Sequence, residues 1–351
     1  MTPLVRLLIS SLLSLVLIAC GGGGSTSGTG ATPPGSGSGT VLPTIPVTIP
    51  TSSYAAGSAE LGGWNVLQRA RVLCGFGALS QNLSLDRAAL SHARYLNSIS
   101  VASGVSELSH YETITTNPYY TGYYPWDRTV YQGYGVQVAE IIESTSWDYN
   151  TLNPPVIPTL EQRGETSMSS LLNTVYHLSG ALYDGADVGF GADLVNVDSG
   201  TQRHEEYRFG SLNGFRNAAR RIKIGTGTVA TYPCQNSTDI PSQFVPAFES
   251  PNPFPSMTSA LETVGPPIYI KADTGHLLVI TSSSVMQGST SIATAVLNHA
   301  NDPQVPAEIA SNEAFVVPTL ALQPYAIYQI LINGTLDGIP FSRSFSMSTG
   351  Q

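Results

Sequence analysis

Charge is scarce in this 351-residue chain: 11% of its residues are Asp, Glu, Lys or Arg, against 42% hydrophobic. The balance is acidic, with a formal net charge of −9, and the one basic group is Arg216, Arg220, Arg221 and Lys223. A phosphate backbone would be repelled overall, which excludes nucleic acid as an expected partner. The basic group reads instead as a solvated strand edge. Cysteine is rarer still, with three in the chain. A long hydrophobic run is also missing, because the apolar stretch from Leu7 to Ile18 falls short of the roughly 20 residues that a membrane-spanning helix needs.

What that stretch offers is export. It follows Arg6 and closes on Leu17-Ile18-Ala19-Cys20, the layout of a signal peptide over residues 1–19. The closing tetrapeptide resembles the lipobox of bacterial lipoproteins, which implies acylation of Cys20. Each buried methylene contributes about 0.8 kcal/mol, so the membrane is an expected partner through that lipid anchor. Loss of Arg6 leaves the mature chain one charge more negative. Gly21 rather than Asp after the cysteine points, by the same resemblance, to the outer membrane of the cell envelope. Residues 20–53 are mostly Gly, Ser, Thr and Pro, with a few aliphatics between Val41 and Ile49, and read as a disordered tether.

In an oxidising compartment the two remaining thiols, Cys74 and Cys234, are expected to bridge. Closing so long a loop stabilises by roughly 4–5 kcal/mol in the chain-entropy model.

The chain after the tether is long enough for two cores. Leu85, Ala88, Ala89, His92, Ala93 and Leu96 fall on one helical face, with Asn82 or Ser84 as the cap. His92, on that apolar face, reads as a hydrogen-bonded core histidine. An earlier helix spans about Leu61 to Val72. The period of Met168, Leu171, Leu172 and Val175 predicts a third helix, capped by Thr166 or Ser167, with His177 at its C-terminal end. Strands are expected at Val136 to Ile142, Asp187 to Val197, Glu205 to Phe209 and Arg221 to Ile224. Glu140 shares a face with Val136, Val138 and Ile142, and a carboxylate there needs a partner or a cavity.

His110, Glu140 and His177 are thus the side chains most able to bind a divalent metal or share a proton. Read in order, several short stretches resemble the CAP superfamily, which includes the SCP-like, cysteine-rich secretory and antigen 5 proteins. They are Asn65 with Arg69, Gln81-Asn82, His92-Ala93 with Tyr95-Leu96, Ser109-His110, and Asn117-Pro118 through Asp127-Arg128 to Gly133-Tyr134. Ala139-Glu140-Ile141 stands where many members have Gly-Glu-Asn. Asn173-Thr174-Val175-Tyr176-His177 stands where bacterial members carry Asn-Ser-Pro-Gly-His, and Val188-Gly189-Phe190-Gly191 where they have Val-Gly-x-Gly. The likeness covers residues 58–232.

The resemblance implies a CAP-type α-β-α sandwich, within a 54–232 domain, whose two histidines and glutamate converge on a cleft. His110, His177 and Glu140 would form a metal set with one zinc position open, and Glu165 or Glu161 is the candidate for a second cleft glutamate. Eight aromatic residues between Tyr111 and Tyr134 could wall a lipid tail or a sugar, or pack a long loop.

Residues 233–263 are rich in proline and read as a linker. Residues 264–351 carry short strands with recurrent turns and predict an all-β sandwich resembling bacterial Ig-like modules, so the whole is α+β. The functional expectation is an envelope lipoprotein that binds a lipid or small hydrophobic ligand in a His110, Glu140, His177 and Glu165 cleft, with Zn2+ as a candidate cofactor. The alternatives are a hydrolase of peptide or cell-wall material using the same cleft, and a structural envelope protein.

Overall fold

Side-chain caps set the helix boundaries in the computed structural model, which describes residues 45–350 apart from Glu107. Ser58 opens α1 (Ala59–Leu73) by accepting from Leu61 N at 3.2 Å. After the short strand β1 (Ser80–Gln81), Asn82 opens α2 (Leu83–Ser103) through Ser84 N at 3.0 Å. Gly104 ends that helix at φ 68°, a left-handed conformation open to glycine at no steric cost. Pro125 starts α3 (Pro125–Tyr131), where its missing N–H is harmless.

The edge strand β2 (Val138–Asn150) follows, then α4 (Leu160–Leu171), α5 (Tyr176–Ala181), β3 (Asp187–Ser199) and β4 (Gln202–Gly214). The third helix departs from expectation. Thr159 caps it with a reciprocal bond pair to Gln162, so it starts well before Thr166. It stops at Leu171, and a new helix begins at Tyr176. Met168, Leu171, Leu172 and Val175 are all buried, but their common face bridges the turn between two helices. His177 therefore lies in the first turn of α5 rather than in the last turn of a longer helix.

The first sheet has the order β1-β3-β4-β2, with β1 parallel to β3 and the other pairs antiparallel. Helix α2 lies on one face. On the other face Trp64 of α1 and Met168 of α4 share a core with Phe190 and Phe209. The glycines of Val188-Gly189-Phe190-Gly191 have a steric role, since a Cβ on either would run into the α2 backbone at Asp86 N or Leu90 N. Arg221–Ile224 is not a strand. Ile222 N instead donates to Asp184 O, and Arg221 pairs with the Asp184 carboxylate.

The remaining strands are β5 (Ala230–Tyr232), β6 (Ser237–Ile240), β7 (Ile268–Lys271), β8 (Leu278–Gln287), β9 (Thr290–Ile292), β10 (Thr294–Asn298), β11 (Glu313–Pro318), β12 (Ile327–Leu336) and β13 (Ile339–Thr349). They form two sheets, β10-β11-β7-β5 and β6-β13-β12-β8-β9. Asp337 and Gly338, both at positive φ, make the β12–β13 hairpin turn. Ile268, Ile270 and Val316 meet Ile330, Ile332 and Phe345 in the core between these sheets. The alternate residues Tyr269, Phe315 and Val317 point the other way, into the core of Phe76, Leu182 and Phe190. That double duty explains why β7 and β11 are buried at every position.

The described residues consequently form one compact unit. The expected linker is packed: β6 pairs with β13, Phe244 bridges to Val264, and Ile240 and Phe244 are buried. Cys74 and Cys234 are disulfide-bonded, with Cα atoms 5.5 Å apart across 160 residues of sequence. The signal segment, Cys20 and residues 21–44 of the tether lie outside the described residues. Residues 45–53 are held: Pro46 O accepts from Ala78 N at 2.7 Å, Ser53 N donates to Gln81 Oε1 at 2.6 Å, and Ile45 packs on the core. No helix among the described residues is long and apolar enough to cross a membrane.

Candidate ligand-binding site

Glu140 sits on the α2 and α3 side of β2, and its carboxylate is almost fully buried. Arg128, in the middle turn of α3, donates from Nη2 to both oxygens at 2.6 Å. His110, from the loop before α3, reaches Oε1 through Nδ1 at 2.9 Å. Behind them His92 contacts Glu112 Oε1 at 3.0 Å and Ser109 O at 2.9 Å, the hydrogen-bonded core histidine that its helical face predicts. Burial alone would raise the Glu140 carboxyl. The Arg128 guanidinium, with His92 and His110, overrides it and holds the group well below the usual carboxylate range.

This pairing bears on the expected zinc set. Glu140 is already paired with the buried Arg128 guanidinium and with His110. His177 belongs to a different cluster: its Nδ1 is 3.1 Å from Thr174 Oγ1 and 3.3 Å from Glu249 Oε1. Among the described residues no three His, Cys, Asp or Glu side chains are grouped to hold a metal ion. His110, His177 and Glu140 therefore do not fit zinc as a set.

Glu249, which meets His177 at the edge of the site, belongs to no motif in the sequence. It comes from the Pro-rich segment, is buried, and accepts from Val175 N, Tyr176 N and His177 N at 2.9, 2.6 and 3.1 Å. Those are the orphan donors of the α5 N-terminus, satisfied by a carboxylate some seventy residues away. The only sequence signal is that Glu249 is the sole charged residue between Asp239 and Glu262.

His110 and His177 nevertheless border one cavity of about 960 Å³, near the top of the roughly 300–1,000 Å³ range of ligand pockets. Its floor is the stretch Ile142–Thr145 of β2. One wall is the end of α4 with Thr174 and His177, another is Leu108–Tyr111, and the outer walls are segments 243–251 and 304–308. Glu165 does not line it. Its backbone, like that of Glu161, lies where α4 crosses Gly62 of α1. The carboxylate on the floor is Glu143, raised by burial against the opposing pull of the Ser167 and Ser170 hydroxyls and of His177.

The chain matches no family model and no curated protein.

Three side-chain atoms of this cavity, Glu143 Oε2, Thr145 Oγ1 and Asn173 Oδ1, are buried with no hydrogen-bond partner among the described residues. Buried polar atoms of this kind are costly unless something bonds them. Of the hydroxyls beside the two histidines, Thr174 Oγ1 meets the same His177 ring nitrogen as Glu249, so no carboxylate–imidazole–hydroxyl relay runs through the two nitrogens of that ring. Ser109 Oγ bonds the backbone of Tyr111, and Thr174 Oγ1 donates to Leu171 O at 3.1 Å. The aromatic cluster mainly packs on itself: Tyr111 stacks on Tyr123, and Tyr124 on Trp126 with centroids 4.5 Å apart. Of those rings only Tyr111 reaches the cavity.

Proposed function

We propose that this chain is a ligand-binding module of the CAP superfamily, tethered to a bacterial envelope membrane through Cys20, and that its ligand occupies the cavity bordered by His110 and His177. The observation that carries this reading is the cavity itself, with unpartnered polar atoms on a floor flanked by Leu171, Phe244 and Val245. Such a lining suits a ligand that is apolar with a few hydrogen-bonding groups. The three-layer arrangement of the first sheet and its helices supports the CAP assignment, and the all-β half is read as an Ig-like module. A binding role is preferred to hydrolysis because Ser109 Oγ bonds the backbone of Tyr111, and because Thr174 and Glu249 meet the same ring nitrogen of His177, which leaves no relay from carboxylate through imidazole to hydroxyl. Zinc is not part of the reading, since Glu140 and His177 belong to separate clusters.

The test uses the unlipidated full chain and a dansylated dodecyl amide as a neutral probe. Wild type should bind it with a blue-shifted emission, and Ser170→Trp, which fills the cavity from the end of α4, should weaken binding tenfold or more. Absence of binding, or equal binding by the variant, would overturn the reading.

A further inference from the structure

The cavity floor is the open edge of a sheet. Strand β2 pairs with β4 from Val138 to Asn150 and with no other strand among the described residues. Phe215 N donates to Gln137 O at 3.1 Å, which fixes the alternation of the ladder. In an antiparallel pair, residues bonded to the neighbour alternate with residues whose N–H and C=O point outward. Ala139, Ile141, Glu143 and Thr145 thus bond β4, while Glu140, Ile142, Ser144 and Ser146 present their backbone groups to the open side. Ile142 and Ser144 do so inside the cavity.

Proteins usually blunt such an edge with proline, a bulge or outward charges. Between Ile141 and Ser146 there is no proline, the register with β4 is unbroken, and the one charged side chain, Glu143, is turned toward α4. The edge is instead faced across the cavity by segments 243–251 and 304–308, which leaves a slot rather than a flat surface.

Two features select the occupant. Outward N–H and C=O groups repeat at every second residue, and a polypeptide main chain is the ligand that matches that alternation. The lining also contains the acidic Glu143 and Glu308 and no lysine or arginine, and its two histidines, His110 and His177, each already face a carboxylate, Glu140 and Glu249, so an anionic headgroup finds no unpaired counter-charge. The geometry points to an extended peptide, neutral or basic, that adds to the sheet as a fifth strand beside Ile142 and Ser144. Its side chains alternate between the Leu108, Tyr111 and Ile142 wall and the Leu171, Phe244 and Val245 wall. This assignment rests on the binding reading above and names the class of ligand.

The test pans phage-displayed random dodecapeptides against the unlipidated full chain, then measures a selected, fluorescein-labelled peptide by anisotropy. Selected sequences should alternate apolar residues and lack Asp and Glu. Ser144→Pro removes one outward N–H and no bond to β4, so it should weaken binding tenfold or more. N-methylation of alternate amides in the peptide should have the same effect without altering the protein, which guards against a misfolded variant. Failure to select any peptide, or binding that survives both Ser144→Pro and N-methylation, overturns the assignment. If the dansylated alkyl probe still binds in that case, the cavity remains a binding site for another ligand; if neither binds, both readings fall.

Discussion

Glu140 and Glu143 stand three residues apart on β2 and face opposite sides of the sheet, and their proton affinities move in opposite directions. Glu140, like Asp184 beside Lys271 and Arg221, is held low despite burial. A carboxylate of this kind stabilises the fold above the ordinary carboxylate range, and that stability is lost as the pH falls through the depressed value. Glu143 is raised by burial, so its favourable contribution is complete at low pH and disappears as the pH rises through its folded value. Glu143→Gln keeps the neutral form throughout. It should therefore raise Tm at about pH 7, with the gain shrinking toward about pH 4, where the wild-type group is protonated. Parallel melting curves across that range decide it, and a lower Tm for the variant at neutral pH would mean that Glu143 is a well-paired anion. The sequence made Glu140 legible, because a carboxylate among Val138 and Ile142 needs a partner. Arg128 was not recognisable as that partner, since the meeting of α3 with β2 is a tertiary event. Glu143 went unnoticed because period-two reading follows one face of a strand at a time.

Helix α5 depends on a residue that belongs to no neighbouring element. Its N-terminal donors end on the Glu249 carboxylate, which also sits beside His177 and so fixes one border of the cavity. Removing a cap costs about 1 kcal/mol, and leaving further buried donors unpaired adds about 1–3 kcal/mol. Glu249→Ala should therefore cost roughly 2–4 kcal/mol by urea unfolding, and Glu249→Gln, which keeps an acceptor oxygen, should recover about half. A loss under about 0.5 kcal/mol would show that water replaces the carboxylate there. Elements whose signals are local were legible: Asn82 caps α2 as its residue type and spacing imply. The helix after Thr159 was misplaced because Met168, Leu171, Leu172 and Val175 keep one buried face across a turn, and because the cap that restarts the chain at α5 comes from far along the sequence.

At the scale of the molecule, the two halves that composition separates are joined by shared burial. Tyr269 stacks on Phe76 with centroids 6.1 Å apart, and Lys271 is buried between Asp184 at 2.9 Å and Glu313 at 3.2 Å. Ser179 Oγ donates to Glu313 Oε2 at 2.8 Å, and Tyr176 OH donates to Asp302 at 2.7 Å. The disulfide ties the end of α1 to the segment just after β5. A four-residue strand such as Ile268–Lys271 announces burial, but it cannot say that its second face belongs to another sheet and its helices, so this docking was invisible in the sequence. It has a direct consequence for cooperativity. A chain that stops after Thr263 would keep β5 without its neighbour β7, expose Phe76 and Leu182, and leave Asp184 with Arg221 but without Lys271. Removing one member of a buried ion pair costs about 3–5 kcal/mol, comparable to the whole stability of many domains. The full chain should unfold in one calorimetric transition, whereas the shortened chain should bind a hydrophobic dye and lose its near-ultraviolet circular dichroism. Two separate transitions in the full chain, or a shortened chain that melts at the same temperature, would show that the halves fold independently and that the interface supporting the cavity's outer wall contributes little.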